Sequence, residues 1–426
     1  MLISLKLNNC FIYNNQVEFS MRANMHYKRF KSNLSSFGRI NVLKTAILIG
    51  PNNAGKTNFI KCLVAVREMM MNCQVMRMNS NLFSDNHISE FEVVFLSENK
   101  EFLFEVKYNS KTNEYVYERF AEVSYDVHHN RKETTWFVKD SINQVYECED
   151  SELATIMKVA SKNNILIHLI DVEHFEMLEK AKQIIIGFAE KIDIIDMNNI
   201  PLKKTIDMLK MSDEKKDRIV NFILNADLYM DDYKYLGDDE LKVKINLPEE
   251  NIKPQENVLN ATAPLMEMLH LASVYKGKTV PSIIFDSTGT KKIAAIASYV
   301  IDALENGKIL VIDELDNSLH FKLTRAIVAL FNNELNTKAQ LICTVHDVSL
   351  LDCQNLFRKD QIWFAHKDRE NAYLYSLTEF TSDKDGVRCV SDLIERYRMG
   401  VFGALPEPDL FKTLEEVFVN VQSSSN

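Results

Sequence analysis

The chain has 426 residues, more than one hydrophobic core usually holds, so its length predicts two or three structural units. Hydrophobic residues make up 46% of it and charged residues 26%, with only 11 Gly and 8 Pro, which excludes disordered and fibrous proteins. The 50 basic and 60 acidic side chains give a formal net charge of -10, which argues against attraction of the whole surface to nucleic acid or anionic lipid.

The first residues, MLISLKLNNCFIYNNQVEF, alternate between apolar and polar types and predict strands rather than a signal peptide. No stretch approaches the roughly 18 to 20 apolar residues that a membrane helix needs. The seven Cys are scattered without a C-x-x-C pair, which favours reduced structural thiols over disulfides or a zinc site. We therefore expect a cytoplasmic protein with no membrane partner.

One short segment is visibly basic. Residues 21–31, MRANMHYKRFK, carry Arg22, Lys28, Arg29 and Lys31 among aromatic residues. The segment reads as a solvated loop between two early strands, and a contact with nucleic acid or a partner stays open as the alternative.

A phosphate-binding loop is the strongest signal in the chain. The apolar run KTAILIG leads into GPNNAGKT, which fits G-x-x-x-x-G-K-[ST] and is followed by apolar residues at helical spacing. Such a loop turns backbone N–H groups toward a polyphosphate, while Lys56 neutralises the β and γ phosphates and Thr57 offers a hydroxyl to Mg²⁺. The predicted nucleotide contacts are Gly50, Pro51, Asn52, Asn53, Ala54, Gly55, Lys56, Thr57 and Asn58.

The middle of the chain changes character. Three aromatic and β-branched runs in residues 91–120 predict a meander of strands. From about residue 150 to 270 the pattern is mostly helical, with one strand-like run, DELKVKINL, at 239–247. We therefore divide the chain into residues 1–120, a mostly helical insertion at 121–261, and residues 262–426.

The last third alternates strands and helices, which predicts a mostly parallel, doubly wound sheet. KILVIDE is a buried-strand run that ends in two carboxylates. Asp313 at the strand tip is the predicted magnesium ligand, and Glu314 is the predicted general base that orients the attacking water.

A second helix start with phosphate-binding character lies in FDSTGTKK. Ser287, Gly289 and Thr290 lie at the start of a long apolar helix. Because the phosphate loop at 50–57 already covers the nucleotide of its own subunit, we expect this helix start to contact a nucleotide held by another copy of the chain. A simple helix cap by Ser287 is the alternative. His346, after the next strand, is predicted to reach the γ-phosphate, whereas His320 reads equally as a turn residue or a contact across a dimer.

The order of GPNNAGKT, DSTGT, ILVIDELDNSLH and ICTVHD resembles ABC/SMC-type ATPases, specifically the AAA-labelled ABC-like proteins of bacterial anti-phage and abortive-infection systems. The resemblance covers roughly residues 1–110 and 262–406. It implies an α/β P-loop NTPase of ABC type with a mixed, doubly wound sheet and a mostly helical inserted domain. It further implies a Walker A loop, Asp313 and Glu314 as the Walker B pair, a diverged signature at 287–290, a D-loop at 317–320 and His346 as the switch histidine.

The signature reads DSTGT instead of LSGGQ, and no Q-loop glutamine can be assigned, Gln74 being the nearest candidate. OLD-type nucleases are similar but add a Toprim nuclease after the ATPase. Here about 80 residues follow His346, so we expect no nuclease within the chain.

The resemblance implies a protein that binds ATP and Mg²⁺, forms a head-to-tail ATP-sandwich dimer or a higher oligomer, hydrolyses ATP slowly and controls a separate nuclease or toxin. The alternative is a RecF- or SMC-like ATPase of DNA repair or chromosome maintenance that clamps duplex DNA. A third possibility is a scaffold that binds ATP without hydrolysing it.

Overall fold

The fold is described from a computed structural model of the chain. It describes residues 1–72, 79–81, 83–128, 130–169, 174–211, 213–226, 229–237, 267–369, 371–381, 384–387, 392–405, 411 and 413. The strand predicted at 239–247, Gln74 and the predicted boundary between residues 261 and 262 lie outside these ranges.

The strands, in chain order, are β1 (Leu2–Asn8), β2 (Val17–Ser20), β3 (Leu34–Phe37), β4 (Ile40–Leu43), β5 (Thr45–Ile49), β6 (Ile88–Ser97), β7 (Lys100–Asn109), β8 (Glu114–Tyr125), β9 (Arg131–Asp140), β10 (Val145–Cys148), β11 (Ile192–Asp196), β12 (Asp232–Tyr235), β13 (Leu271–Tyr275), β14 (Lys278–Pro281), β15 (Ile309–Asp313), β16 (Gln340–Val345), β17 (Ile362–Lys367) and β18 (Ala372–Ser376).

The α-helices of the described residues are α1 (Lys56–Met71), α2 (Ser151–Val159), α3 (Glu176–Ala189), α4 (Lys203–Lys210), α5 (Asp213–Leu224), α6 (Ser282–Phe285), α7 (Thr288–Asn306), α8 (Phe321–Asn332) and α9 (Leu393–Arg398).

The predicted meander is confirmed and forms part of an antiparallel sheet of seven strands, in the order β10-β9-β8-β7-β6-β1-β2. Its strands are rich in aromatic residues, which suit a pleated surface that is buried on one face. Phe102 and Phe120 stack across β7 and β8 with ring centroids 5.5 Å apart, and Trp136 of β9 meets Phe120 edge-on at 5.3 Å. These pairs fix the register of the strands toward the core.

The predicted doubly wound sheet is also confirmed. Its six strands follow the order β11-β15-β16-β5-β17-β18, and all neighbours pair in parallel except β17 and β18. A parallel sheet is buried on both faces, which explains why β5, β15 and β16 are almost entirely apolar.

Alternate residues of the central sheet enter different cores, because successive side chains of a strand point to opposite faces. On β5, Ala46 and Leu48 face the core that holds α1, α3 and the antiparallel sheet. Ile47 and Ile49 face the core formed with α7, α8 and α9. A third, smaller core joins α4, α5 and α7 to the sheet of β12, β13 and β14.

The insertion at 121–261, predicted to be mostly helical, also contains β-strands. The antiparallel sheet continues through residue 148, because β9 pairs along β8 and β10 pairs with the end of β9. β11 is a strand of the central sheet beside β15. Between 149 and 224 the remaining described elements are mainly helical, and the division into three domains stays a prediction.

Candidate functional site

The loop between β5 and α1 has the backbone shape of a phosphate cradle. It lies at the carboxyl edge of the parallel strands, where α/β sheets bind ligands. A Cβ added to Gly50 would lie 2.2 Å from the carbonyl oxygen of Ala365 on β17. Gly55 has a φ of 111°, and Asn53 is also left-handed at 63°. Glycine is therefore required at both ends of the loop.

A tyrosine that is distant in sequence, Tyr13, holds the phosphate loop in place. The Tyr13 hydroxyl donates a hydrogen bond of 3.0 Å to the Gly55 carbonyl oxygen, and its side chain is fully buried. Burial raises the pKa of Tyr13 well above its ordinary value, so the hydroxyl stays protonated and keeps donating.

The Lys56 ammonium lies inside the loop that precedes it. Its Nζ donates to the carbonyl oxygens of Gly50, at 2.6 Å, and Pro51, at 3.1 Å. Burial lowers the pKa of Lys56, and the carboxylates of Asp313, Asp316 and Glu314 act against that shift. A partly desolvated cation at the centre of a glycine loop fits a polyphosphate, which would replace those carbonyls as its partner.

Asp313 ends β15 beside the loop and is buried, with 7% of its surface exposed. Its Oδ1 accepts a hydrogen bond of 2.5 Å from the Thr344 hydroxyl of β16. Thr57 lies in the first turn of α1 with an exposed side chain. A hydroxyl and a carboxylate are ligands that suit Mg²⁺ with a nucleotide, so these two residues fit the predicted metal.

Glu314 follows Asp313 in a left-handed conformation, with a φ of 57°. Its Oε2 accepts hydrogen bonds from the side-chain amides of Asn198, at 2.9 Å, and Asn317, at 3.1 Å. The hydrogen bond from Asn198, and to a smaller extent that from Asn317, lowers the pKa of Glu314. The carboxylate is therefore held ionised and in one orientation.

His346 lies between the lysine and the glutamate. Its Nδ1 is 3.5 Å from the Lys56 Nζ, and its Nε2 is 3.7 Å from the Glu314 Oε1. Because the ammonium can only donate, a hydrogen bond between these two groups requires the tautomer whose proton is on Nε2, the nitrogen that faces the glutamate. The imidazole thus links the two charged groups.

The Asp316 side chain connects the loop that follows β15 to the loop that follows β16 by hydrogen bonds. Its Oδ2 accepts from the backbone N–H groups of His346, at 2.7 Å, and Asp347, at 2.6 Å. Its Oδ1 is buried and accepts no hydrogen bond in the part of the chain that the structure describes. Asp316 therefore positions His346 and adds negative charge near Lys56.

The predicted second helix start lies at α7. Ser287 caps this helix, and its Oγ accepts from the Thr290 N–H at 3.1 Å. Gly289 allows close approach to the next loop, since a Cβ there would lie 2.8 Å from the Ser318 carbonyl oxygen. Lys292 donates to the Asn317 carbonyl at 3.2 Å. The helix start is therefore joined to the loop that holds Asn317.

The predicted residues thus fall into two groups. The loop 50–58, Asp313, Glu314 and His346 come together at one sheet edge. Within the described ranges, no hydrogen bond links Ser287, Gly289 or Thr290 to residues 50–58. Sequence reasoning missed Tyr13 and Asn198, which no local motif marks, and Asp316, which lies in the run ILVIDELD but received no role.

A protein family described as "AAA domain, putative AbiEii toxin, Type IV TA system" matches residues 46–352, more than two thirds of the 426 residues. The chain belongs to this AAA-domain family. The match includes the phosphate loop, the Asp313–Glu314 pair and His346. No significant match is found among curated proteins.

Two solved structures of SMC head domains are similar to this AAA-domain protein. One, an SmcHead bound to the C-winged helix domain of ScpA, has 12% identity and a TM-score of 0.45, with 88% of this chain and 97% of that chain covered. The other, from Thermotoga maritima, has 10% identity and a TM-score of 0.38, with 88% and 98% covered.

The family and the loop geometry make this AAA-domain protein a P-loop nucleotide-binding protein of α/β fold. None of the helices in the described ranges is both long enough and apolar enough to span a bilayer.

Proposed function

We propose that this protein binds ATP with Mg²⁺ and hydrolyses it slowly in a dimer whose nucleotide state controls a separate effector. One observation carries the proposal. Lys56, His346 and Glu314 form a continuous chain, with separations of 3.5 Å and 3.7 Å, at the end of a glycine-bounded phosphate loop. A phosphate-binding cation, a sensor and a base are what γ-phosphate hydrolysis requires.

Each residue has a defined task in this reaction. The loop amides and Lys56 hold the β and γ phosphates, and Thr57 and Asp313 would hold the metal. Mg²⁺, when bound, neutralises charge on the triphosphate. Glu314 accepts the proton of the attacking water, and His346 contacts the γ-phosphate. Hydrolysis is proposed to be slow because DSTGT departs from the LSGGQ signature.

The start of α7 is proposed to complete the site of a second copy. The Ser287 side chain is engaged with Thr290 of its own helix, which a γ-phosphate from the partner copy would replace. Thr290 and its neighbours then offer backbone N–H groups and the positive helix end to that phosphate. A symmetric dimer of this kind holds two nucleotides.

The proposed effector is a nuclease or toxin, and the proposed setting is anti-phage defence or abortive infection. The support is the family, whose description names a toxin of a toxin–antitoxin system. A protein that clamps ATP between two copies changes shape when the γ-phosphate leaves, and this change is the proposed signal to the effector.

Turnover of ATP tests the proposal. Glu314→Gln keeps the size of the side chain but removes the base, so we expect phosphate release to fall roughly 100- to 10,000-fold while ATP still binds. Glu152→Gln, an exposed position on α2, is the matched control and should behave as the wild type. Unchanged turnover in Glu314→Gln would contradict the proposed mechanism.

A duplex-DNA clamp is the second candidate, favoured by the basic segment identified above. His26, Lys28, Arg29 and Lys31 are all exposed in the segment before Asn33, and the Asn33 side chain donates a hydrogen bond to Gln361, just before β17. Binding of duplex DNA that needs ATP and weakens with salt would support this function over effector control. Binding without dependence on ATP would argue against a clamp.

A further inference from the structure

A buried carboxylate, Asp286, lies directly before the cap of α7. Asp286 is 7% exposed, whereas the next residue, Ser287, is exposed at the start of the helix. The backbone N–H of Asp286 donates to the Ser282 carbonyl oxygen at 3.0 Å, at the end of α6. The chain therefore turns one side chain into the protein and presents the next one at its surface.

Three hydroxyl groups converge on this carboxylate. Its Oδ2 accepts hydrogen bonds from Ser273, at 2.5 Å, and Ser282, at 2.6 Å. Its Oδ1 accepts a hydrogen bond of 2.8 Å from the Tyr275 hydroxyl. Burial and the hydrogen bond to Asp286 raise the pKa of Tyr275 to about 12, so this hydroxyl stays protonated and keeps donating.

The hydroxyl groups connect Asp286 to the three-stranded sheet of β12, β13 and β14. Ser273 and Tyr275 are two residues apart on β13, so their side chains lie on the same face of the sheet. The Tyr233 hydroxyl of β12 lies 3.4 Å from the Ser282 Oγ and extends the network by one strand. Since this sheet packs against α4, α5 and α7, Asp286 attaches the start of α7 to a packed unit of the protein.

The chemistry of the cluster explains why a carboxylate occupies this position. Burial of a carboxylate costs free energy that its hydrogen bonds must offset. Both oxygens of Asp286 accept hydrogen bonds here, whereas an amide of the same shape has only one acceptor oxygen. Hydrogen bonds to both oxygens fix the direction of the side chain, and therefore the backbone that leads into Ser287.

We propose that Asp286 is a positioning residue for the nucleotide site shared between two copies. Through its hydrogen bonds, the sheet of β12–β14 holds the start of α7 in the conformation in which Ser287 reaches the γ-phosphate of a nucleotide bound by the second copy. Asp286 itself is turned into the protein and touches no phosphate. This inference rests on the dimer proposed above.

Asp286→Ala removes the attachment and leaves the phosphate loop intact. ATP turnover should fall at least about tenfold, since hydrogen bonds to a charged group are lost. The affinity for ADP with Mg²⁺ should stay within about twofold of wild type, because ADP lacks the γ-phosphate that Ser287 would contact. Loss of ADP affinity in parallel with turnover, in a variant whose thermal melting shows it to be folded, would overturn the positioning role.

Tyr275→Phe is a milder variant that keeps Asp286 and removes one donor on the far side of the cluster. It should lower ATP turnover about three- to tenfold and leave the affinity for ADP unchanged. Tyr229→Phe is the control, because the Tyr229 side chain is 89% exposed, and it should behave as the wild type. Wild-type turnover in Tyr275→Phe would overturn the proposal.

Mixing variants shows in which subunit Asp286 acts. Asp286→Ala keeps the phosphate loop, and Lys56→Ala keeps the start of α7, so a mixed dimer has one complete shared site. An equimolar mixture should therefore recover about a quarter of wild-type turnover, as should a mixture of Lys56→Ala with Ser287→Arg, which blocks the helix start directly. Recovery only in the Ser287→Arg mixture would overturn the role of Asp286 and leave the dimer standing. Recovery in neither mixture would overturn the dimer, and this inference with it.

Discussion

Glu314 is oriented by side chains that come from opposite sides of the site. Asn317 lies three residues along the same loop, whereas Asn198 follows β11, more than a hundred residues earlier. Asn317 also donates to the Asn198 side-chain oxygen at 2.6 Å. The three side chains are hydrogen-bonded to one another, so a change in one of them alters the orientation of the Glu314 carboxylate.

Asn198→Ala should therefore lower ATP turnover without removing ATP binding. A hydrogen bond to a charged group contributes about 1.5–3 kcal/mol, so kcat should fall about tenfold or more. Because Asn198 lowers the pKa of Glu314, the acid limb of the pH–rate profile should also move to higher pH. Asn199→Ala is the control, and an acid limb identical to wild type in Asn198→Ala would show that Asn198 does not tune the base.

At the residue scale, residues within local motifs could be predicted from the sequence, whereas the residues that contact them from distant segments could not. Lys56, Asp313 and Glu314 lie in short patterns whose chemistry is contained in adjacent residues. Tyr13 and Asn198 act through folding of strands that are far away in sequence, so no local spacing reveals them. The sites predicted from the sequence therefore lacked the groups that hold them in place.

At the scale of elements, two glycine substitutions are predicted to have opposite effects on stability, because Gly50 is packed against β17 whereas Gly187 lies in open space on α3. Gly50→Ala places a methyl group 2.2 Å from the Ala365 carbonyl oxygen, so it should destabilise the protein by roughly 2–4 kcal/mol. Gly187→Ala, inside α3 with no atom within 4 Å of the added carbon, should stabilise it by about 0.5–1 kcal/mol. Urea unfolding measures both, and equal effects would contradict this description of the loop.

A cluster of charges attaches β11 to α4 and α7, and it predicts a pH dependence. Lys204 pairs with Asp193 at 2.8 Å and also with Asp302, which Lys308 contacts at 2.8 Å. Burial opposes ionisation of Asp302, but these hydrogen bonds outweigh it and lower its pKa below the ordinary value of 3.8. The stabilisation is therefore present above that value and is lost as pH falls through the folded pKa.

Asp302→Asn tests this linkage. The variant should be less stable than wild type by about 1 kcal/mol at neutral pH, and the difference should shrink as the pH falls below about 4. Denaturant unfolding at a series of pH values gives the comparison. A difference that stays constant with pH would show that ionisation of Asp302 contributes nothing to the attachment of β11.

Elements with strong apolar patterns could be predicted, such as β5, β15, β16 and α7. β9 could not, because residues 131–135 are polar and exposed and lack the alternation of a half-buried strand. β11 is only five residues long, and its place in the central sheet depends on pairing with β15. Tertiary pairing, which no local pattern contains, determines both.

At the scale of the whole molecule, the phosphate loop and the start of α7 are separate sites on one subunit. In the proposed dimer each subunit supplies the loop of one nucleotide site and the α7 start of the other. The family match and the P-loop fold support nucleotide binding, and the completion of each site by a second copy is the claim on which effector control depends.

Mixing two inactive variants tests that claim most directly. Lys56→Ala removes the phosphate loop cation but keeps α7, and Ser287→Arg blocks the start of α7 but keeps the loop. In an equimolar mixture about half of the dimers contain both variants, and each such dimer has one intact composite site. We expect the mixture to recover about a quarter of wild-type ATP turnover when the subunits exchange freely. Turnover that stays at the sum of the two variants, after exchange has been verified, would contradict it.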